Sequence, residues 1–127
     1  MFKKITALCL MGCALMPTTS FANVYELRPN ISADFDLKPN LPDTFTNPLF
    51  WTVSAECTGT TPDSSVRLFA EVLRKHGKVN GRDMNEGQSD YFTVTNGSKL
   101  TIIADGYAQV RITNKAAHTL HISCHTL

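Results

Sequence analysis

No apolar run in this chain is long enough to cross a bilayer. The longest, Ile5 to Met16, has 12 residues, where a spanning helix needs about 20. An excess of one charge is also missing. Of the 12 Lys and Arg, Lys3 and Lys4 sit at the very start, and the remainder fall one short of the 11 Asp and Glu. The densest basic region holds Arg67, Arg74, Lys75, Lys78 and Arg82, but Asp63, Glu71, Asp83 and Glu86 are interleaved with it. That balance offers no basic face for a phosphate backbone and excludes nucleic acid as a partner. No Gly-x-Ser-x-Gly elbow is present, and no nucleophile stands beside a base and an orienting group, as covalent catalysis requires. The residues point away from an enzyme and imply no cofactor.

Cysteine is scarce, and where it falls is informative. Two of the four cysteines, Cys9 and Cys13, lie within the apolar run that follows Lys3 and Lys4. Pro17 ends that run, and Ser20-Phe21-Ala22 sets small residues at the −3 and −1 positions of a cleavage site. Residues 1–22 have the layout of a secretory signal peptide. Leu10-Met11-Gly12-Cys13 also fits a bacterial lipobox, with Cys13 as the lipidated first residue; the run continues past Cys13, which favours the cut after Ala22. Export to the periplasm or the extracellular space is the expectation. The mature chain then starts at Asn23 and carries only Cys57 and Cys124, which pair with each other in an oxidising compartment.

Residues 23–127 suffice for one domain and are too few for two. Residues 23–48 are broken by Pro29, Pro39, Pro42 and Pro48. Between these, Ile31, Ala33, Phe35 and Leu37 alternate with Ser32, Asp34 and Asp36, the pattern of a half-buried edge strand. Phe50 to Cys57 alternates again and places Trp51, Val53, Ala55 and Cys57 on one inward face. Segment 64–76 is ambiguous. Val66, Phe69, Ala70 and Leu73 fit a helical face, while Val66, Leu68, Ala70 and Val72 fit a strand; the following Asn80-Gly81 hairpin signal favours a strand. Asp90 to Thr95, Leu100 to Ala104, Tyr107 to Thr113 and His118 to Cys124 read as strands separated by Asn96-Gly97, Asp105-Gly106 and Asn114 to Ala117. The expected fold is all-β: one antiparallel β-sandwich, Ig-like or a small barrel, of about seven strands. Leu120, Ile122 and Cys124 face inward, so both cysteines fall on buried faces by parity.

Several residues invite a chemical reading. His121 and His125 share a strand face but stand about 13 Å apart, too far for one metal ion, and His118 points to the other face. No metal site is expected. Asp34 and Asp36 are spaced as a carboxylate pair, yet acids alternating on an edge strand are ordinary protection against edge pairing. Asn30-Ile-Ser and Asn96-Gly-Ser match glycosylation acceptors.

Ala104-Asp105-Gly106-Tyr107 resembles, over four residues, the inhibitory loop of periplasmic lysozyme inhibitors of Gram-negative bacteria. The serine-rich lead-in and the following tyrosine of that motif are missing here. The likeness implies an interaction loop of Asp105, Gly106 and Tyr107. More broadly, Phe50-Trp-Thr-Val-Ser-Ala-Glu-Cys, Gly77-Lys-Val-Asn-Gly, Ala104 to Asn114 and Cys124 make the chain resemble small exported single-disulfide β-domain proteins of Gram-negative bacteria to which no activity is assigned. The functional expectation is a non-catalytic binding module with a protein or cell-envelope partner. An inhibitor of a cell-wall hydrolase is the alternative, ahead of a metal-binding protein or a hydrolase. An exposed aromatic cluster near Tyr91, Phe92 or Tyr107 would favour binding, and a pocket with converging acids or histidines would favour chemistry.

Overall fold

The computed structural model describes residues 23–127; the expected signal peptide of residues 1–22 and the Cys13 alternative lie outside the described residues. Eleven strands follow one another: β1 (Val24–Glu26), β2 (Ser32–Leu37), β3 (Pro42–Thr46), β4 (Val53–Thr60), β5 (Ser65–Arg74), β6 (His76–Val79), β7 (Arg82–Asn85), β8 (Ser89–Thr95), β9 (Lys99–Ala104), β10 (Gln109–Asn114) and β11 (Leu120–Thr126). They form two sheets, in the orders β1-β3-β10-β5-β8 and β2-β11-β4-β9-β6-β7, and every pairing but β1 with β3 is antiparallel. The chain is an all-β sandwich, with no helix among the described residues.

The strand count exceeds the expected seven for a physical reason. The proline-rich segment holds three strands rather than one, because Pro42 occupies the first position of β3, where a missing N–H costs the ladder least. A second addition is the β6–β7 hairpin around Asn80-Gly81, both at positive φ as a type I′ turn demands. It is the one connection that stays within a sheet. Each of the others carries the chain across the sandwich, including the Asn96-Gly97 turn between β8 and β9.

Segment 65–74 is a strand, flanked by β8 and β10. Val66, Leu68, Ala70 and Val72 are buried, and Phe69 and Leu73 lie half-buried on the outer face. Phe69 packs on Tyr91 there, which is why an apolar stripe at helical spacing arises in a strand. Trp51 departs from expectation. It stands outside β4, in the loop before it, and is exposed; the alternation that begins at Val53 does not extend back through this loop. His118 likewise lies in the loop before β11.

Between the sheets Leu37, Phe45, Leu68, Leu100, Ile102, Ile112, Leu120 and Ile122 are almost fully buried. Cys57 and Cys124 sit opposite each other on neighbouring β4 and β11, are both buried, and are joined as a disulfide that spans 67 residues.

The same offset of 67 relates two units of the chain. The spans of β2, β3 and β4 recur as β9, β10 and β11. β3 pairs with β10 and β4 with β11, while β2 and β9 flank that second pair, so the units are related by a pseudo-two-fold axis passing near the disulfide. The 38–41 turn has its counterpart at 105–108, closed by the same backbone bond, Leu41 N to Lys38 O at 3.2 Å and Ala108 N to Asp105 O at 2.9 Å. Four identities accompany the relation: Thr46-Asn47, Thr52 and Cys57 answer to Thr113-Asn114, Thr119 and Cys124.

Candidate functional site

Most exposed large apolar side chains gather at one end of the sandwich. Among the described residues, Phe50 (74% exposed), Trp51 (47%), Tyr107 (46%), Ile31 and Leu127 lie there, and Val24 and Tyr91 lie elsewhere. The first three sit on two loops, 47–52 and 105–108, which the fold locks together. Asn47 is fully buried between them. Its Nδ2 donates to the carbonyls of Trp51 at 2.7 Å and of Ala104 and Asp105 at 3.1 Å, and its Oδ1 accepts from Leu49 N at 3.0 Å. Backbone bonds add to this, with Asn47 N donating to Ala108 O and Tyr107 N to Leu49 O, both at 2.9 Å. A buried amide so fully satisfied fixes its loops firmly.

Gly106 allows the closest approach. A Cβ there would lie 2.4 Å from the Phe50 carbonyl oxygen, so only glycine lets the loops meet. Tyr107 has φ of 63°, a left-handed conformation that disfavours a bulky side chain; three of the five non-glycine residues at positive φ among the described residues are asparagine. The aromatic ring is thus presented at a backbone cost. Phe50 and Trp51 meet edge to face with centroids 4.8 Å apart. Arg74 reaches the Tyr107 carbonyl at 3.5 Å. Beside the loop, His76 lies between two carboxylates, with Nδ1 3.2 Å from Asp105 and Nε2 3.2 Å from Asp83. The two acids hold opposite edges of one ring, an arrangement that orients the imidazole and leaves no shared position for a metal ion.

The expected interaction loop therefore belongs to a larger cluster. Asp105, Gly106 and Tyr107 are joined by Trp51, which strand parity had turned inward, by its neighbour Phe50, and by Asn47 and His76, which nothing singled out. The signal for the loop was Asn47-Pro48 followed by three consecutive apolar residues, a run that breaks alternation.

The remaining sequence candidates disperse. His118 contacts Asp63 at 3.0 Å, His121 contacts Asp36, and His125 lies 3.6 Å from Glu56. No group of three or more His, Cys, Asp or Glu among the described residues is arranged to hold a metal ion. Asp34, Asp36, His121, Thr58, Thr60 and Ser123 line an open depression of about 360 Å³ on the outer face of the six-stranded sheet. Its acids and histidine are exposed, and His121 is already engaged by Asp36. Phe92 is buried, while Tyr91 is exposed on the other sheet with Arg67 4.0 Å above its ring. No helix of the described residues is long and apolar enough to cross a membrane. Comparison with protein-family models, curated proteins and solved structures finds no match to this chain.

Proposed function

We propose that this protein is an exported, non-catalytic binding module that docks on a protein of the cell envelope through the tip formed by Phe50, Trp51 and Tyr107. One observation carries the reading: three aromatic side chains are held in solvent on rigid loops, one of them in a disfavoured backbone conformation. Exposed apolar clusters are costly to solubility and mark contact surfaces. Trp, Tyr and Arg dominate binding energy at protein interfaces, and Arg74 stands beside Tyr107. Because Asn47 fixes the loops beforehand, little conformational entropy is lost on docking. Export is supported by the leader-like residues 1–22 and by the buried disulfide.

Affinity capture from periplasm and culture medium, with the wild-type protein and a Trp51→Ala/Tyr107→Ala variant side by side, tests the proposal. A partner retained by the wild type and by His118→Ala, but lost by the tip variant, supports it. Equal recovery by all three proteins, or no specific partner, counts against it. A second reading rests on the projection of Tyr107 beside Asp105: insertion of this loop into the cleft of a cell-wall hydrolase. Inhibition of a muramidase that disappears in Tyr107→Ala would select that reading.

A further inference from the structure

Asp43 is an anomaly in the core. Its side chain points inward from β3 and is fully buried. At the pseudo-equivalent position of the second unit stands Val110, also fully buried, so the fold itself asks for an apolar residue there. Burial pushes the Asp43 carboxyl above the usual carboxylate range, opposed by one hydrogen bond from the backbone nitrogen of Asn23. That nitrogen lies 3.0 Å from Oδ1. Oδ2 is a buried side-chain oxygen with no hydrogen-bond partner among the described residues. An isolated carboxylate in such surroundings is expensive, so the group either holds its proton or takes a cation as its partner.

Asn23 is the residue that the Ser20-Phe21-Ala22 motif would expose as the first of the mature chain. It is already held in place. Its carbonyl accepts from Thr44 N at 2.8 Å, and Val24 continues in register with Thr44. Tyr25 then packs against Phe35 and Phe45, with ring centroids 4.2 and 5.5 Å away. In the uncut chain the Asn23 nitrogen is an amide with one hydrogen, enough for Oδ1 alone. Hydrolysis of the Ala22–Asn23 bond consumes one water; Ala22 leaves as a carboxylate and the Asn23 nitrogen becomes an ammonium. Three hydrogens and a positive charge then become available to the carboxyl of Asp43.

We propose that removal of the leader completes the fold: the α-ammonium of Asn23 forms a partly buried ion pair with Asp43 and locks β1 onto β3. This rests on the export part of the functional reading, the cut after Ala22, and not on the aromatic tip. The site is a receptor for a free amino terminus, so the domain reaches full stability only after processing.

The test uses protein exported with its own leader and purified from the periplasm. Mass spectrometry first reads the mature amino terminus; any start other than Asn23 overturns the inference and leaves the tip reading untouched. Thermal unfolding is then compared for wild type and Asp43→Asn, each with and without Ser-Gly inserted between Ala22 and Asn23. In the mature form Asp43→Asn is expected to lower the melting temperature by about 10 °C or more, because it strands a charge. In the extended form the same change is expected to have little effect or to raise it. Equal penalties in both forms overturn the proposal. As a second readout, amine acylation at Asn23 should be several-fold slower in the wild type than in Asp43→Asn; equal rates overturn the pairing.

Discussion

The two ends of the sandwich are closed by the same knot and finished with different side chains. At one end Asn47 receives the amide of the residue two ahead, Leu49, and donates to the carbonyl four ahead, Trp51, and to Ala104 in the other unit. At the opposite end Asn114 receives Ala116 N at 2.8 Å and donates to His118 O at 2.9 Å and to Leu37 O at 2.8 Å. Both asparagines are fully buried. Around them, Phe50, Trp51 and Tyr107 correspond to Ala117, His118 and Asn40. Asn40 occupies the left-handed position with φ of 61°, where asparagine is at ease; Tyr107 occupies its counterpart, where tyrosine is not. The knot therefore folds with small and polar residues on top. The aromatics at the other end are not a requirement of the loop, and an unforced cost of that kind points to a contact made outside the chain.

The harshest way to break this equivalence is to cut the bond near the axis between the units. The Cys57–Cys124 loop of 67 residues is worth roughly 4 kcal/mol in the chain-entropy model, and loss of a native disulfide typically costs about 2–5 kcal/mol. Cys57→Ser should lower the melting temperature substantially. If both ends hang on one cooperative scaffold, fluorescence of Trp51, the single tryptophan, and far-ultraviolet circular dichroism should melt together. Separate transitions would show that the ends are independent and the comparison between them accidental.

Next in size are the knots themselves. Asn47→Ala and Asn114→Ala each remove at least three hydrogen bonds and leave carbonyls without a donor, a loss of roughly 2–4 kcal/mol. Urea unfolding should give the two variants similar stabilities, within about 1 kcal/mol, with unchanged slope. A mild effect at Asn47 alone would mean that the aromatic loop is not rigid, and the case for a preformed tip would fall.

Much of this plan was legible in residue alternation, and the exceptions share a cause. Parity placed Cys57, Cys124, Leu120 and Ile122 correctly because β4 and β11 each bury one face against the same core. It failed at Trp51 because periodicity carries no information past the end of a strand, and Asn47 ends the register at Thr46. β1 and β3 were hidden because their stability comes from partners distant in the chain. The internal relation left only Thr-Asn, Thr and Cys as identities at a 67-residue offset, since backbone closure needs those few side chains and tolerates the rest. Asp43 gave no signal at all; an acid among prolines and threonines looks solvated until both sheets close over it.

Exchanging the two left-handed residues gives a smaller, signed effect. Tyr107→Asn relieves the backbone and should stabilise by about 1 kcal/mol, a rise of several degrees in melting temperature, while Asn40→Tyr should cost a similar amount. Opposite signs sharpen the view that Tyr107 is kept against the interest of stability. If Tyr107→Asn is destabilising, the ring contributes to packing and its display is no longer an unexplained cost.

The least disruptive change addresses function most directly. Phe50→Ala with Trp51→His installs the residues found at Ala117 and His118, on a backbone that already supports them at the other end. Phe50 is largely in solvent and Trp51 about half so, and chemical denaturation should shift by no more than about 1 kcal/mol. Binding to the captured partner should weaken at least thirtyfold, as loss of one interface hot spot of about 2 kcal/mol implies. The combination discriminates where either measurement alone does not. A large stability loss would make the aromatics part of the fold after all, and unchanged affinity would move the contact surface to the Phe69–Tyr91 patch, where Arg67 stacks on the exposed ring.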